Sequence, residues 1–81
     1  MAFAAIANKN KIIEKATGLK VKWSSTSPGN SATVVLSGNV TDKMLLDITV
    51  SLNALEGAVF EVRRVSETLD TIKVFWKLLS A

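Results

Sequence analysis

The strongest pattern in this chain is an alternation of apolar and polar side chains from residue 46 to residue 52. The apolar positions are Leu46, Ile48, Val50 and Leu52, and the polar positions between them are Asp47, Thr49 and Ser51. Successive side chains of a strand point to opposite faces of its sheet, so this alternation predicts a strand with one face in the core. A chain with such a strand must build a sheet and cover the apolar face of that sheet.

Three more segments read as strands, namely residues 20–24, 32–36 and 58–63. In the first of them, Val21 and Trp23 share one face and Lys20 and Lys22 share the other, so Trp23 is predicted to lie in the core. The polar segment 24–31 contains Pro-Gly-Asn and predicts a loop that interrupts strand pairing.

Both ends of the chain show helical spacing. Residues 3–16 form an amphipathic pattern that Gly18 stops. The last pattern follows a cap at Ser66 or Thr68, and its apolar stripe is Leu69, Ile72, Trp76 and Leu79. The prediction is a single α+β domain over residues 1–81 in the order α-β-β-β-β-α, with no internal repeat in the sequence. In this two-layer fold a four-stranded antiparallel sheet carries the N- and C-terminal helices on one face.

The residue types argue against a catalytic function and favour a binding function. The chain has no His, Cys or Tyr, and its carboxylates are scattered singly, so we expect no enzyme, no cofactor, no metal site and no small-molecule substrate. The net charge is +3, and the basic residues cluster near the start. The clustered lysines are Lys9, Lys11, Lys15, Lys20 and Lys22, and Glu14 is the one acidic residue among them. Such a cluster suits an anionic partner, although it also fits a solvated helix face.

Location and partner class follow from the same composition. The lack of cysteine and of a long apolar segment predicts a cytoplasmic protein, with the nucleus or peripheral attachment at the plasma membrane as the alternatives. A nucleic-acid module would interleave aromatic and basic side chains on one strand face, and Lys20, Lys22 and Trp23 do not provide this, so no nucleic-acid partner is expected. Trp23 and Trp76 are predicted core anchors, and Phe75, which lies off the helical stripe, is a candidate partner contact.

The pair Arg63 and Arg64 is the sharpest candidate site. Adjacent strand residues point to opposite faces, so one guanidinium could reach a phosphate held at the start of the last helix, beside the N–H groups of residues 67–69. The structural alternative is that Arg63 pairs with Asp47 or Glu61. The basic pair also makes Ser66 a possible phosphorylation site, in competition with a capping role for its hydroxyl.

Two stretches of the chain resemble the kinase-associated-1 domain. Residues 13–15 (Ile-Glu-Lys) and 18–23 (Gly-Leu-Lys-Val-Lys-Trp) are similar to its first helix and strand. Residues 60–66 (Phe-Glu-Val-Arg-Arg-Val-Ser), with Leu69 and Phe75 after them, are similar to its final strand, its basic-Ser junction and its closing helix. The resemblance covers about residues 10–80.

The resemblance implies a non-catalytic regulatory domain of protein kinases. Such a domain binds acidic phospholipid surfaces, restrains its own kinase domain or docks a partner protein. The alternative is a protein-interaction or dimerisation module that is indifferent to lipid charge. Its contact would lie around Phe75 and the first helix, and the apolar segment 1–7 favours it slightly.

Overall fold

The computed structural model describes residues 6–54, 57–65 and 67–79, and the elements that lie wholly within them are two helices and four strands. Their bounds are α1 Lys9–Thr17, β1 Val21–Ser27, β2 Ser31–Leu36, α2 Asp42–Asn53, β3 Ala58–Arg64 and β4 Thr71–Leu78. The α+β class and the four-stranded antiparallel sheet are therefore confirmed. The order of the elements is α-β-β-α-β-β, so the predicted order α-β-β-β-β-α is wrong.

The strands lie in the order β1-β2-β4-β3, and each neighbouring pair is antiparallel. Two hairpins, β1–β2 and β3–β4, are joined along β2 and β4 in the middle of the sheet. This is not a simple meander, because the chain crosses from β2 through α2 to the far edge before it returns to the centre. The fold thus consists of two successive α-β-β halves, although the sequence shows no repeat.

Both helices bury side chains against the same face of this sheet. The buried apolar cluster consists of Ile13, Val34, Leu36, Val40, Ile48, Leu52, Ala58, Phe60, Ile72 and Val74. It draws on α1, α2, β2, β3 and β4, so both helices of the structure lie on one side of the sheet. None of the described elements covers the opposite side, and we call it the open face.

Residues 46–52 belong to a helix, and the strand predicted for them is wrong. The helix begins after Thr41, whose hydroxyl accepts a hydrogen bond from the Met44 N–H at 3.2 Å. The carboxylate of Asp42 lies in the first turn, where it interacts favourably with the positive end of the helix dipole. The cap therefore lies five residues before the alternation begins.

The apolar positions of α2 fit both a strand and a helix. Those that turn inward are Met44, Leu45, Ile48 and Leu52. Leu46 and Val50, which a strand would have placed in the core, are instead 62% exposed. Positions two apart in an alternating pattern include positions four apart, so the pair Ile48 and Leu52 satisfies either period. The sequence pattern could not separate the two.

The helix predicted at the end of the chain is also wrong, since this segment forms β4. Ile72 and Val74 are fully buried and Trp76 packs beside them, while the side chains between them face the open face. Thr68 lies in the β3–β4 connection, where its Oγ1 donates to the Val65 carbonyl at 2.8 Å. Ser66, the other predicted cap, lies outside the described residues.

The first helix and its stop are confirmed within the described residues, while positions 1–5 lie outside them. Gly18 has a φ of 74°, and its N–H donates to the Glu14 carbonyl at 2.8 Å. The loop predicted for residues 24–31 is wrong, because β1 and β2 stay paired up to Ser27 and Ser31. Only residues 28–30 form the turn.

Candidate binding surfaces

The structure separates the two arginines of the sequence-predicted anion site. Arg63 lies on the open face, where Glu61 on the same strand forms an ion pair with it at 2.7 Å. This is one of the two structural alternatives considered above. Arg64 points the other way: its Nη1 donates to the Val40 carbonyl at 2.9 Å, and Nη2 donates to the Asp42 carboxylate. Arg64 therefore holds the connection that leads into α2.

The proposed phosphate position beside residues 67–69 has lost its physical basis. That argument required a helix to begin there, with its free N–H groups directed at the anion. The segment instead leads into β4. Within this connection, the N–H of Thr68 already donates to the Val65 carbonyl at 3.1 Å. The predicted phosphorylation site Ser66 lies outside the described residues.

The predicted lysines form a separate group from the arginines. Lys9, Lys11 and Lys15 lie on α1, and Lys20 and Lys22 lie at the start of β1. The Glu14 carboxylate, which accepts a hydrogen bond from the Val21 N–H at 2.8 Å, ties α1 to β1. β1 and β3 are the two edges of the sheet, about 14 Å apart at the usual strand spacing. The lysines and the two arginines therefore do not form one site.

Trp23 was predicted to lie in the core, and this is wrong. The pairing of β1 with β2 shifts between Val21 and Trp23, and the shift places Trp23 opposite Val35 on the open face. As a result the Trp23 side chain is 56% exposed. Trp76 packs against the core as expected, with its ring 6.4 Å from that of Phe60. A register shift of this kind leaves no signal in the apolar pattern.

The open face collects basic and aromatic side chains around β4. The alternation of β4 places Lys73, Phe75 and Lys77 there. The Lys73 Nζ lies 5.8 Å and the Arg63 Cζ 6.0 Å from the centre of the Phe75 ring. Phe75, the predicted partner contact, is therefore half-buried beside two cations that share the neighbouring row. Sequence reasoning missed Lys73 and Lys77 because it assigned this segment to a helix.

A second surface lies on the outer side of the helix layer, where α1 and α2 form a groove of about 730 Å³. We call it the helix groove. It is lined by Ile12, Lys15, Ala16, Leu46, Asp47, Val50, Ser51 and Ala54. Its walls are mainly apolar, with Lys15 on the α1 side and Asp47 on the α2 side. Of the contact region expected from the sequence, the groove contains part of the first helix but not Phe75.

The described residues also bear on two broader classes of site. They contain no cluster of three or more His, Cys, Asp or Glu side chains that could hold a metal ion. None of the helices described here has the length and apolar character needed to span a bilayer.

Comparison with known proteins gives no relative: no family model matches the chain, and no match was found among curated proteins or solved structures.

Proposed function

We propose that this chain is a non-catalytic module that self-associates through the helix groove. The observation that carries the proposal is the exposure of Leu46 and Val50, each 62%, on consecutive turns of α2 beside an apolar groove. Exposed apolar surface that is continuous and rimmed by polar groups is typical of a contact site. Ile12 and Ala16 on α1 extend the same apolar surface.

The charges at the rim favour a second copy of this chain as the occupant. In a symmetric dimer each surface meets itself across a two-fold axis, so it must be self-complementary. The helix groove has a cation, Lys15, on one wall and an anion, Asp47, on the other. Rotation about a two-fold axis can bring Lys15 of each copy to Asp47 of the other. Asp47 also pairs with Lys43 at 3.3 Å, an exposed pair that is too weak to prevent this.

The contact is expected to be weak. Complete burial of a Leu or Val side chain contributes about 1.5–3 kcal/mol, and association costs at least ~4 kcal/mol in lost freedom of motion. A standard interface takes ~800 Å² per partner, roughly a sixth of the 5135 Å² surface of this chain. We therefore expect a dissociation constant in the micromolar range.

Sedimentation velocity from about 1 to about 200 µM tests the proposal, because it covers the range in which such a contact dissociates. The wild type should shift from monomer to dimer, and Leu46→Gln with Val50→Thr should remain monomeric. The matched control is Leu69→Gln with Val59→Thr, since Leu69 and Val59 are 59% and 54% exposed outside the groove. A wild type that stays monomeric throughout, or a control that dissociates equally, would contradict the proposal.

A charge exchange tests the two-fold arrangement itself. Lys15→Glu and Asp47→Lys should each weaken self-association, because like charges then meet twice across the axis. Mixing the two variants should restore dimers, since each contact in the mixed pair joins opposite charges. The two-fold arrangement is wrong if mixing the charge variants does not restore dimers while Leu46→Gln with Val50→Thr remains monomeric. The helix groove would then be the contact, but in another geometry.

A second candidate function is binding to acidic phospholipid surfaces, the role that the resemblance implied. The observation that favours it is the cluster of lysines on α1 and β1, none of which forms an ion pair with a described residue. Each could contribute about 1 kcal/mol near an anionic bilayer. The element order differs from the one that the resemblance implied, so we do not extend this candidate to restraint of a kinase domain.

Vesicle sedimentation tests the second candidate. Binding to phosphatidylserine vesicles but not to neutral ones, weakened by Lys11→Gln with Lys22→Gln, would support it. Equal binding to both kinds of vesicle, or to neither, would exclude it.

A further inference from the structure

The register of the open face places its side chains in defined rows. One row runs across the sheet through Ser27, Ser31, Phe75 and Glu61, and the next runs through Ser25, Thr33, Lys73 and Arg63. A third row holds Trp23, Val35 and Thr71. In the first two rows, small hydroxyl side chains thus occupy β1 and β2, while charged and aromatic ones occupy β4 and β3.

Two aromatic rings lie on a diagonal of this surface. Trp23 on β1 and Phe75 on β4 are separated by two strand spacings and four residues, roughly 16 Å at ideal strand geometry. Thr33 lies between the two rings, and its side chain is small compared with theirs. Trp23 is 56% exposed, so much of its ring is free to stack with a flat partner.

The charge on the same surface is positive. Arg63, Lys73 and Lys77 lie on the open face with Glu61 as the acidic residue of these rows. Both side chains of the Glu61–Arg63 ion pair are exposed to solvent. Exposed ion pairs contribute at most ~1 kcal/mol to stability, so a phosphate can compete with Glu61 for the guanidinium of Arg63. Cations next to flat rings are the combination that binds a backbone phosphate and its base together.

We propose that the open face binds single-stranded nucleic acid, with bases stacked on Trp23 and Phe75 and phosphates held by Arg63, Lys73 and Lys77. This goes beyond the proposed self-association, which uses the opposite side of the molecule. It also revises the expectation of no nucleic-acid partner. That expectation required basic and aromatic residues to alternate on one strand face, and β4 meets the requirement with Lys73, Phe75 and Lys77.

The occupant is single-stranded rather than duplex because stacking requires unpaired bases. It is not a bilayer because the two rings are separated by the hydroxyl-bearing residues Ser25 and Thr33 rather than by apolar side chains that could insert into lipid. Phosphates of one stacked strand repeat every ~3.4 Å, so rings roughly 16 Å apart contact bases that are not neighbours. Stacking is tolerant of base identity, and we therefore expect little sequence preference.

Binding should be measured with fluorescein-labelled oligothymidylate and oligouridylate of about 15 nucleotides, longer than the surface can span. With three phosphate contacts on a single strand, a plot of log affinity against log salt should have a slope of about −2. In a Trp76→Phe background, the emission of Trp23 should be quenched on binding. A duplex of the same length should bind at least several-fold more weakly.

The variants separate this surface from general basic charge. Lys73→Gln with Lys77→Gln should weaken binding and reduce the slope by about 1.4, while Lys9→Gln with Lys11→Gln removes the same charge from α1 outside the helix groove and should change little. Trp23→Ala should weaken binding roughly 5- to 150-fold, with Leu69→Ala as the exposed control. Circular dichroism of each variant shows whether it remains folded.

Three results would overturn the proposal. The first is no binding at about 50 mM salt, and the second is an equal loss in the two lysine pairs. The third is binding of heparin and phosphatidylserine vesicles as tightly as oligonucleotide with no dependence on Trp23, which would show a general polyanion surface.

Discussion

Glu67 has a φ of 67° in the connection between β3 and β4, a backbone conformation that suits glycine. A side chain in this left-handed region costs about 1–2 kcal/mol, and the greater freedom of glycine in the unfolded chain offsets part of that. We expect Glu67→Gly to raise the free energy of unfolding by about 1 kcal/mol in urea denaturation. Glu67→Ala keeps the strain and should not produce this gain; an equal gain in both variants would show that the glutamate charge is responsible.

Asn53 joins the end of α2 to the edge of the sheet. Its Oδ1 accepts from the Phe60 N–H at 2.8 Å, and its Nδ2 donates to the Phe60 and Thr49 carbonyls at 3.0 and 2.9 Å. The side-chain amide thereby satisfies backbone groups of an edge strand that could otherwise pair with another chain.

Asn53→Ala should lower the free energy of unfolding by about 1–3 kcal/mol, because Phe60 loses both partners. Asn53→Asp keeps the acceptor and should lie between alanine and the wild type. Urea denaturation measures both values, and an aspartate variant less stable than alanine would show that the acceptor contact contributes nothing.

The conformation or direction of a residue could be predicted from the sequence where it depends only on neighbouring residues. Gly18 ends α1 as expected, and Arg63 and Arg64 do point to opposite faces of β3. Trp23 could not be predicted, because its position depends on how β1 pairs with β2 rather than on its own neighbours.

At the level of whole elements, two of six were assigned to the wrong type, and both for the same reason. In α2 the pair Ile48 and Leu52, and in β4 the pair Ile72 and Trp76, lie four residues apart, a spacing shared by both periods. Tertiary packing then determines whether such a segment forms a helix or a strand. The last segment forms a strand because β4 pairs between β2 and β3 and completes the sheet. The basic and aromatic residues of the open face were missed together with β4, the strand that carries most of them.

Replacing an exposed valine by alanine, once in α2 and once in β3, tests the assignment of these segments as helix and strand. Val50→Ala lies on an exposed face of α2, where alanine is the better helix former, so the free energy of unfolding should rise by up to about 0.5 kcal/mol. Val59→Ala lies on an exposed face of β3 and should lower it by a similar amount.

Urea denaturation at protein concentrations where the chain is monomeric gives both values without any contribution from self-association. A loss of stability in Val50→Ala would argue that α2 is not a stable helix in solution.

For the whole molecule, the two proposed surfaces lie on opposite sides of the sheet and should act independently. Changes at distant sites that share no partner usually add. Leu46→Gln with Val50→Thr should therefore leave the oligonucleotide affinity per chain within about two-fold, and Lys73→Gln with Lys77→Gln should leave the sedimentation behaviour unchanged. Coupling in either direction would show that the surfaces communicate through the core or that the dimer forms elsewhere.

The two α-β-β halves are connected covalently through the segment between Leu36 and Asp42, and their largest further contacts are those of β2 with β4 and of α1 with α2. Each half alone leaves its apolar sheet face and a central strand edge uncovered. Polypeptides that correspond to the separate halves should consequently complement each other on mixing, so a chain divided within residues 37–41 should recover the fold from two separate pieces.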